Sequence, residues 1–462
     1  MILILTQSGG ILVLGKIDDE DIIILKGSRK AGRRKIMANQ IVTVSIIGLG
    51  GRGGEAYGRY IAKLKDKFKI THVCDVNLVR LHKYGEAFEV PMENRYDEED
   101  AFFVEKRSDV LFITTQDRMH VRMAKKALCL GYDIVLEKPI SDSVEELQQL
   151  LALAHEKNRK IMVCHVLRYT VMMRKLKEIL NSGAIGKLVT IDQLENVVYW
   201  HEAHSFVRGN WRNRALSTPM IMAKCCHDLD LLQDFAGSKC KAVSSMGSLA
   251  YFKPEFKPEG AADRCVNCPY LETCTYSAKN IYVRLWKNVG KPENTFPFNL
   301  ITDAYPTTEE ALMEAITEGP YGRCVFACDN DVVDNQTVIM QFENGITATL
   351  RMEAFVKNGG RDIHFFGTEG ELLLEEFNDT ITLRRYNGPD EVWKIHDLTD
   401  DLEGHGGGDH RMIDELYDIM TGKNPEVATS IDESIESHYM ALAAEESRLA
   451  GGQLVEIAKY RG

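Results

Sequence analysis

The chain has 462 residues, 44% of them hydrophobic, which is enough to bury the cores of two domains. Its 68 acidic and 56 basic side chains leave a formal charge of −12, which argues against nucleic acid or an anionic membrane as the main partner, because both recruit excess Lys and Arg. No apolar run approaches the ~18–20 residues a transmembrane helix needs, and 11 cysteines without exported-protein context point to a reducing, cytoplasmic compartment.

Residues 1–36 hold apolar runs at 2–5 and 11–14, broken by Gln7, Ser8, Gly9 and Gly10, and a basic stretch of Arg29, Lys30, Arg33, Arg34 and Lys35. They lack the order of a signal peptide, and the basic residues read as a solvated tail rather than a nucleic-acid arm. Met37 precedes the first convincing strand, so 1–36 is expected to be an extension ahead of the native start. From Val42 onward, short β-branched runs alternate with amphipathic stretches, the pattern of βαβ units around a doubly wound parallel sheet. Strands are expected at 42–47, 70–75, 109–114, 133–136 and 160–165, and helices at 119–130 and 144–157. Ser143 followed by Glu146 reads as a capping box that opens the second helix.

Beyond about residue 167 the strands lengthen and hairpin signals appear. Asn344-Gly345 between strands at 338–342 and 347–352 favours a type I′ turn, and Thr368–Gly370 and Asn387-Gly388 repeat the signal. This half is expected to be an α/β domain over 167–429 with a mainly antiparallel or mixed open sheet. A Cys-containing insertion at about 260–305 interrupts it, and an Ala- and Glu-rich closing helix follows at 430–449 within a 430–462 tail.

The strongest chemical signal is Gly48-Leu49-Gly50-Gly51-Arg52-Gly53, placed between a strand and a helix. Glycines at this spacing allow a tight turn, a close approach of backbone to a pyrophosphate, and helix-on-strand packing. Asp75, at the end of the second strand, is placed to accept both ribose hydroxyls of NAD and to repel a 2′-phosphate. Together they predict a Rossmann domain over 37–166. Glu137-Lys138-Pro139 ends the fourth strand at the crevice, where Pro139 restricts Lys138 to an extended backbone and a cis bond is expected. The run Trp200 to Arg212, including His204, Arg208 and Trp211, is dense in flat aromatic faces and hydrogen-bonding groups of the kind that hold sugars; a loop packed at a domain interface is the alternative.

On these motifs, with Thr114-Thr115-Gln116-Asp117 and His120 after the third strand and His227-Asp228-Leu229-Asp230 later, the chain resembles the Gfo/Idh/MocA family of NAD(P)-dependent sugar and cyclitol oxidoreductases from about residue 42 to its end. The resemblance implies a cofactor site of Gly48, Gly50, Gly51, Arg52, Gly53, Asp75, Thr114, Thr115, His120, Glu137 and Lys138, with Lys138 and His227 flanking the reacting hydroxyl. It also implies a substrate pocket that begins at Arg168 and Tyr169 and takes in His405 near Asp409, with Asp334 a weaker member. Imidazole suits the hydroxyl proton near neutral pH. Where many members place an Asp four residues before that His, this chain has Ala223, with Lys224 beside it, so either Asp230 or another residue orients His227 or the chemistry has drifted.

Cys265-x-x-Cys268 and Cys274, with Cys324 or Cys328 as a fourth thiol, admit a structural zinc that staples the insertion; free reduced thiols are the other reading. The expected function is hydride transfer between NAD and a ring hydroxyl of a sugar, glycoside or cyclitol. An NAD-dependent glycosidase working by transient oxidation and elimination is a second reading, and a non-catalytic sugar or dinucleotide sensor a third. A homodimer or tetramer is the expected assembly.

Overall fold

The computed structural model describes residues 3–5, 11–13, 40–293, 295–423 and 429–461. The basic stretch 29–35 and Met37 lie outside them. The chain divides into two units, Met1–Ala38 and Asn39–Gly462. In the first, β1 (Leu3–Leu5) pairs antiparallel with β2 (Ile11–Val13), a hairpin built from the two apolar runs.

The second unit contains two sheets. The first has β3 (Val42–Ile47), β4 (Phe68–Cys74), β5 (Arg95–Tyr96), β6 (Val110–Ile113), β7 (Asp133–Leu136) and β8 (Ile161–Val163), all parallel, in the order β5-β4-β3-β6-β7-β8. Every residue of β6 is buried, as a strand covered on both faces requires. The strand order reverses between β3 and β6, which opens a crevice at their carboxyl ends. The expected strands are trimmed there, because Asp75, Thr114 and His165 leave the ladder to line loops. The helix Val144–Lys157 starts as expected, with Ser143 accepting from the Glu146 amide at 3.3 Å. The other half of the capping box is absent: the Glu146 carboxylate accepts from Ser141 Oγ at 2.5 Å.

The second sheet has nine strands: β9 (Leu188–Val198), β10 (Cys240–Ser248), β11 (Asn335–Phe342), β12 (Thr347–Val356), β13 (Gly360–Gly367), β14 (Gly370–Glu375), β15 (Thr380–Arg385), β16 (Glu391–Lys394) and β17 (Val455–Glu456). Their order is β16-β15-β14-β13-β9-β12-β11-β10-β17, and only β9 with β12 is parallel, so the sheet is mixed. Hairpins form at all three expected sites. The turn at Asn344-Gly345 is not type I′, however: Gly345 N–H donates to Phe342 O at 3.0 Å and Gly345 alone takes a positive φ, +91°, the geometry of a type I turn closed by a left-handed glycine.

The insertion is larger than 260–305. It fills the whole connection from β10 to β11 with short helices around its own apolar cluster of Phe252, Tyr282, Trp286, Phe298, Leu312 and Phe326. The closing helix runs Ile431–Leu449 and is tied to the edge of the first sheet, where Val163 N–H donates to Thr429 O at 2.8 Å. One apolar cluster continues from Ile47, Leu111 and Leu136 to Leu350 and Leu372, so both sheets share a core. Among the described residues no helix is long and apolar enough to cross a membrane.

Candidate active site at the mouth of the crevice

The glycine loop follows β3 directly. Gly48 has φ +92°, and a Cβ on it would stand 2.6 Å from Thr114 O; one on Gly53 would stand 2.1 Å from Gly48 O. A Cβ on Gly50 or Gly51 meets nothing within 4 Å, so these two glycines border open space of the kind a pyrophosphate needs. Thr114 Oγ1 donates to Gly48 O at 2.6 Å and supports the turn from below. Asp75 is buried, with one carboxylate oxygen accepting from Leu49 N–H at 2.5 Å and the other from Asn77 N–H at 2.8 Å. A carboxylate has about four acceptor positions, so two remain for a ribose. These features fit a dinucleotide.

The Lys138–Pro139 peptide is cis. His120 is buried beneath it, with Nδ1 2.7 Å from Pro139 O and Nε2 3.0 Å from Thr115 O, so it ties this turn to the one after β6 instead of facing a ligand. Arg52 likewise spends its donors on protein: Nε reaches Glu137 at 2.8 Å, and two nitrogens grip Asp409 at 2.6 and 3.0 Å. Burial alone would raise the Glu137 carboxyl, but Arg52 and Lys138 hold it below its usual range. Glu137 then fixes the turn by accepting from the Lys138 amide at 3.1 Å.

Lys138 Nζ crosses to the other side of the crevice and donates to Ala223 O at 2.9 Å. His227 sits four residues on, in the first turn of the helix Cys226–Ala236. It is buried and its Nδ1 has no partner among the described residues. Burial, then the nearby Lys138, His165 and His405, push its pKa well below the usual range, so the ring is neutral. His405, at φ +47° in the Gly404–Gly407 bend, closes the rim with Nδ1 3.2 Å from Asp409.

Lys224 donates to Glu195 on β9 at 2.8 Å, and Arg361 on β13 joins Glu195 at 2.9 Å to Asp228 at 2.7 Å. Burial and Glu195 push Asp228 up to about 6. Glu202 is also buried, with one oxygen unpartnered, and burial together with Asp334 drives its carboxyl well above its usual value. Glu195, Arg361, His165 and Glu202 were not singled out from the sequence. Their only signal is a charged or polar residue on a strand or helix face that the apolar alternation marks as buried.

Several residues expected in the pocket serve the core instead. Arg168 grips Asp230 through two bonds of 2.6 and 2.8 Å, both groups buried, so neither faces a substrate and Asp230 does not orient His227. Tyr169 is buried against Thr429, its hydroxyl 2.8 Å from Oγ1. Arg208 donates to Arg323 O and Tyr276 O, both at 2.7 Å, and His204 bonds Tyr282 and stacks on Tyr321 at 4.8 Å; both belong to the interior of the insertion. Burial lowers His204 to about 3. Asp334 accepts from the Ala250 and Tyr251 amides at 2.8 Å. Trp211 is half-buried and donates to Asp117 at 3.3 Å.

The zinc expectation is corrected. Cys265, Cys268, Cys274 and Cys324 line one small pocket, yet among the described residues no three His, Cys, Asp or Glu side chains stand close enough to hold a metal. Cys265 Sγ turns toward Arg323 O at 3.7 Å and Cys328 Sγ toward Cys324 O at 3.3 Å. The insertion has an apolar core of its own.

Residues 42–165 match the Gfo/Idh/MocA oxidoreductase family, NAD-binding Rossmann fold, and residues 177–457 match that family's C-terminal α/β domain. The oxidoreductase YteT of Bacillus subtilis is 24% identical over 396 residues, 81% of this chain and 88% of its own. A glycosyl hydrolase family 109 protein of Streptomyces filamentosus is 28% identical over 281 residues, 54% of either chain. The structure of aldose-aldose oxidoreductase from Caulobacter crescentus, 16% identical, superposes with a TM-score of 0.62 over 90% of this chain and all of that one, which shows a shared fold. The chain belongs to the Gfo/Idh/MocA family of NAD-binding oxidoreductases.

Proposed function

We propose that the protein transfers hydride between NAD and a ring hydroxyl of a sugar, glycoside or cyclitol, with Lys138 and His227 as its catalytic pair. The observation that carries this reading is the Lys138 bond to Ala223 O at 2.9 Å, which brings an ammonium from the cofactor side next to the buried neutral imidazole of His227. Bound NAD supplies the hydride acceptor. His227 takes the hydroxyl proton, and Lys138 donates a hydrogen bond to the same oxygen and stabilises negative charge on it. Glu137 and His120 hold the Lys138-Pro139 turn rigid, and Arg52 with Asp409 closes the His405 side.

A second reading, an oxidation and elimination cycle on a glycoside, draws support from Glu202, a buried carboxyl whose pKa burial and Asp334 raise, which suits it to donate a proton to a leaving group. The family 109 glycosyl hydrolase among the relatives points the same way. The retained Lys138 and His227 pair speaks against a sensor. We assign self-association to the open face of the nine-stranded sheet, where Val189, Met246 and Ile339 are exposed.

Lys138→Ala and His227→Ala should each lower turnover roughly a hundredfold or more while NAD affinity stays near normal. A variant with near-normal turnover removes that residue from the chemistry. In deuterium oxide, a dehydrogenase accumulates NADH and an intact keto-glycoside. Aglycone release with deuterium beside the oxidised carbon and no NADH build-up establishes the second reading.

A further inference from the structure

The insertion reaches the cofactor side of the crevice. A pocket lies between the glycine loop at Leu49, Gly50 and Gly51, the helix after Asp75 at Val79, Arg80 and Lys83, and an arm of the insertion at Asn299, Leu300 and Thr302. The arm is latched: Asp303 accepts from Asn77 Nδ2 at 3.2 Å and from Arg80 Nε at 3.4 Å, and Lys83 Nζ stands 5.2 Å from the centre of the Tyr305 ring. Asn77 lies two residues beyond Asp75, so the latch closes beside the position expected to bind ribose. The side-chain oxygen of Asn299, on the short helix Phe298–Ile301, is enclosed and bonded to nothing among the described residues. A buried acceptor without a donor is costly unless a ligand supplies one.

We infer that this arm forms the outer wall of the dinucleotide site, with Asn299 accepting a hydrogen bond from the adenosine half of NAD and Asp303 latching the wall shut, which slows release of the cofactor. This rests on the NAD-site reading above. The wall is unlike the rest of the cofactor site in origin: the Rossmann domain supplies the glycine loop and Asp75, while Asn299 and Asp303 come from a segment more than 200 residues later whose remaining helices serve another core. Arg80 and Lys83 are engaged by Asp303 and Glu55, so they steady the arm and the floor of the cavity and leave the acceptor at Asn299 as the unmet polar group. Val79 and Leu300 add apolar surface on opposite walls, suited to the faces of a purine.

The test is binding, not turnover. With the full chain, calorimetry and NADH fluorescence give affinity, and stopped-flow displacement gives the off-rate. Asn299→Leu should weaken ADP-ribose and NAD about tenfold and leave nicotinamide mononucleotide unchanged; Asp303→Ala should speed NADH release about tenfold or more with a smaller change in the association rate. Hydrogen exchange on the unmodified protein provides a readout that needs no variant: NAD should protect the amides of 298–303. Failure of the unmodified protein to bind NAD would overturn the cofactor reading itself. Normal NAD binding with unchanged affinity and off-rate in both variants, or with no added protection at 298–303, would overturn the wall alone.

Discussion

At the scale of single residues, Asp75 is the side chain we propose as the reader of cofactor choice. Its carboxylate is held in place by two backbone amides and stands where a 2′-phosphate would bring like charge into a partly enclosed cleft. Of the nearby cations, Arg80 bonds Asp303 through Nε and Lys83 pairs with Glu55, so each already has a carboxylate partner. NAD should therefore bind at least about tenfold tighter than NADP, roughly 1.4 kcal/mol, and Asp75→Ser should narrow the gap. Titration of both cofactors against both proteins checks this; equal affinities in the unmodified protein would remove Asp75 from that role.

At the scale of the element, the turn between β3 and its helix separates two kinds of glycine. Gly53 is required by packing, because a methyl there meets a backbone oxygen at 2.1 Å that no side-chain rotation relieves. Gly50 has an ordinary φ of −74° and open space beside it. Gly53→Ala should lower the melting temperature without any cofactor present, at a cost of about 2–3 kcal/mol or more. Gly50→Ala should melt like the parent yet bind NAD about tenfold or more weakly, since its methyl enters the space the cofactor needs. Paired melting curves and NAD titrations distinguish the two; the same behaviour from both variants would contradict the geometry.

At the scale of the whole molecule, four buried histidines set the response to acid. His165, His204, His227 and His438 all have lowered pKa values, burial being the first cause in each and His204 and His438 reaching about 3. The unfolded chain takes up protons on these rings below about 6.5 while the folded chain does not, so stability is present above that pH and is lost on acidification toward the folded values. Each ring adds up to about 1.4 kcal/mol per pH unit in that window. Asp228, raised to about 6, and Glu202, raised well above its usual value, let the folded state keep protons and oppose the trend without matching four rings. Denaturant midpoints should fall clearly from pH 7 to pH 5.5; a flat or rising profile would show that these histidines are not buried in neutral form.

What the sequence determined by itself was whatever depends on neighbours along the chain. The glycine spacing before Gly53, the carboxylate closing the second strand, Glu137-Lys138-Pro139 and the Ala- and Glu-rich closing helix follow from turn chemistry and periodicity within a few residues, and the first sheet and its crevice follow from their alternation. Even locally, Asn344-Gly345 marked the hairpin but not the turn type, because strand register added a left-handed glycine to a type I turn. Only the tertiary structure decided which polar residues face the crevice. Arg168 meets Asp230 across 62 residues, Arg208 meets Arg323 across 115, Arg52 meets Asp409 across 357 and Asp303 meets Asn77 across 226. An arginine or aspartate has the same chemistry in a pocket as in a buried pair, and what separates the two is the low-dielectric packing assembled around it by distant elements, which no local pattern encodes.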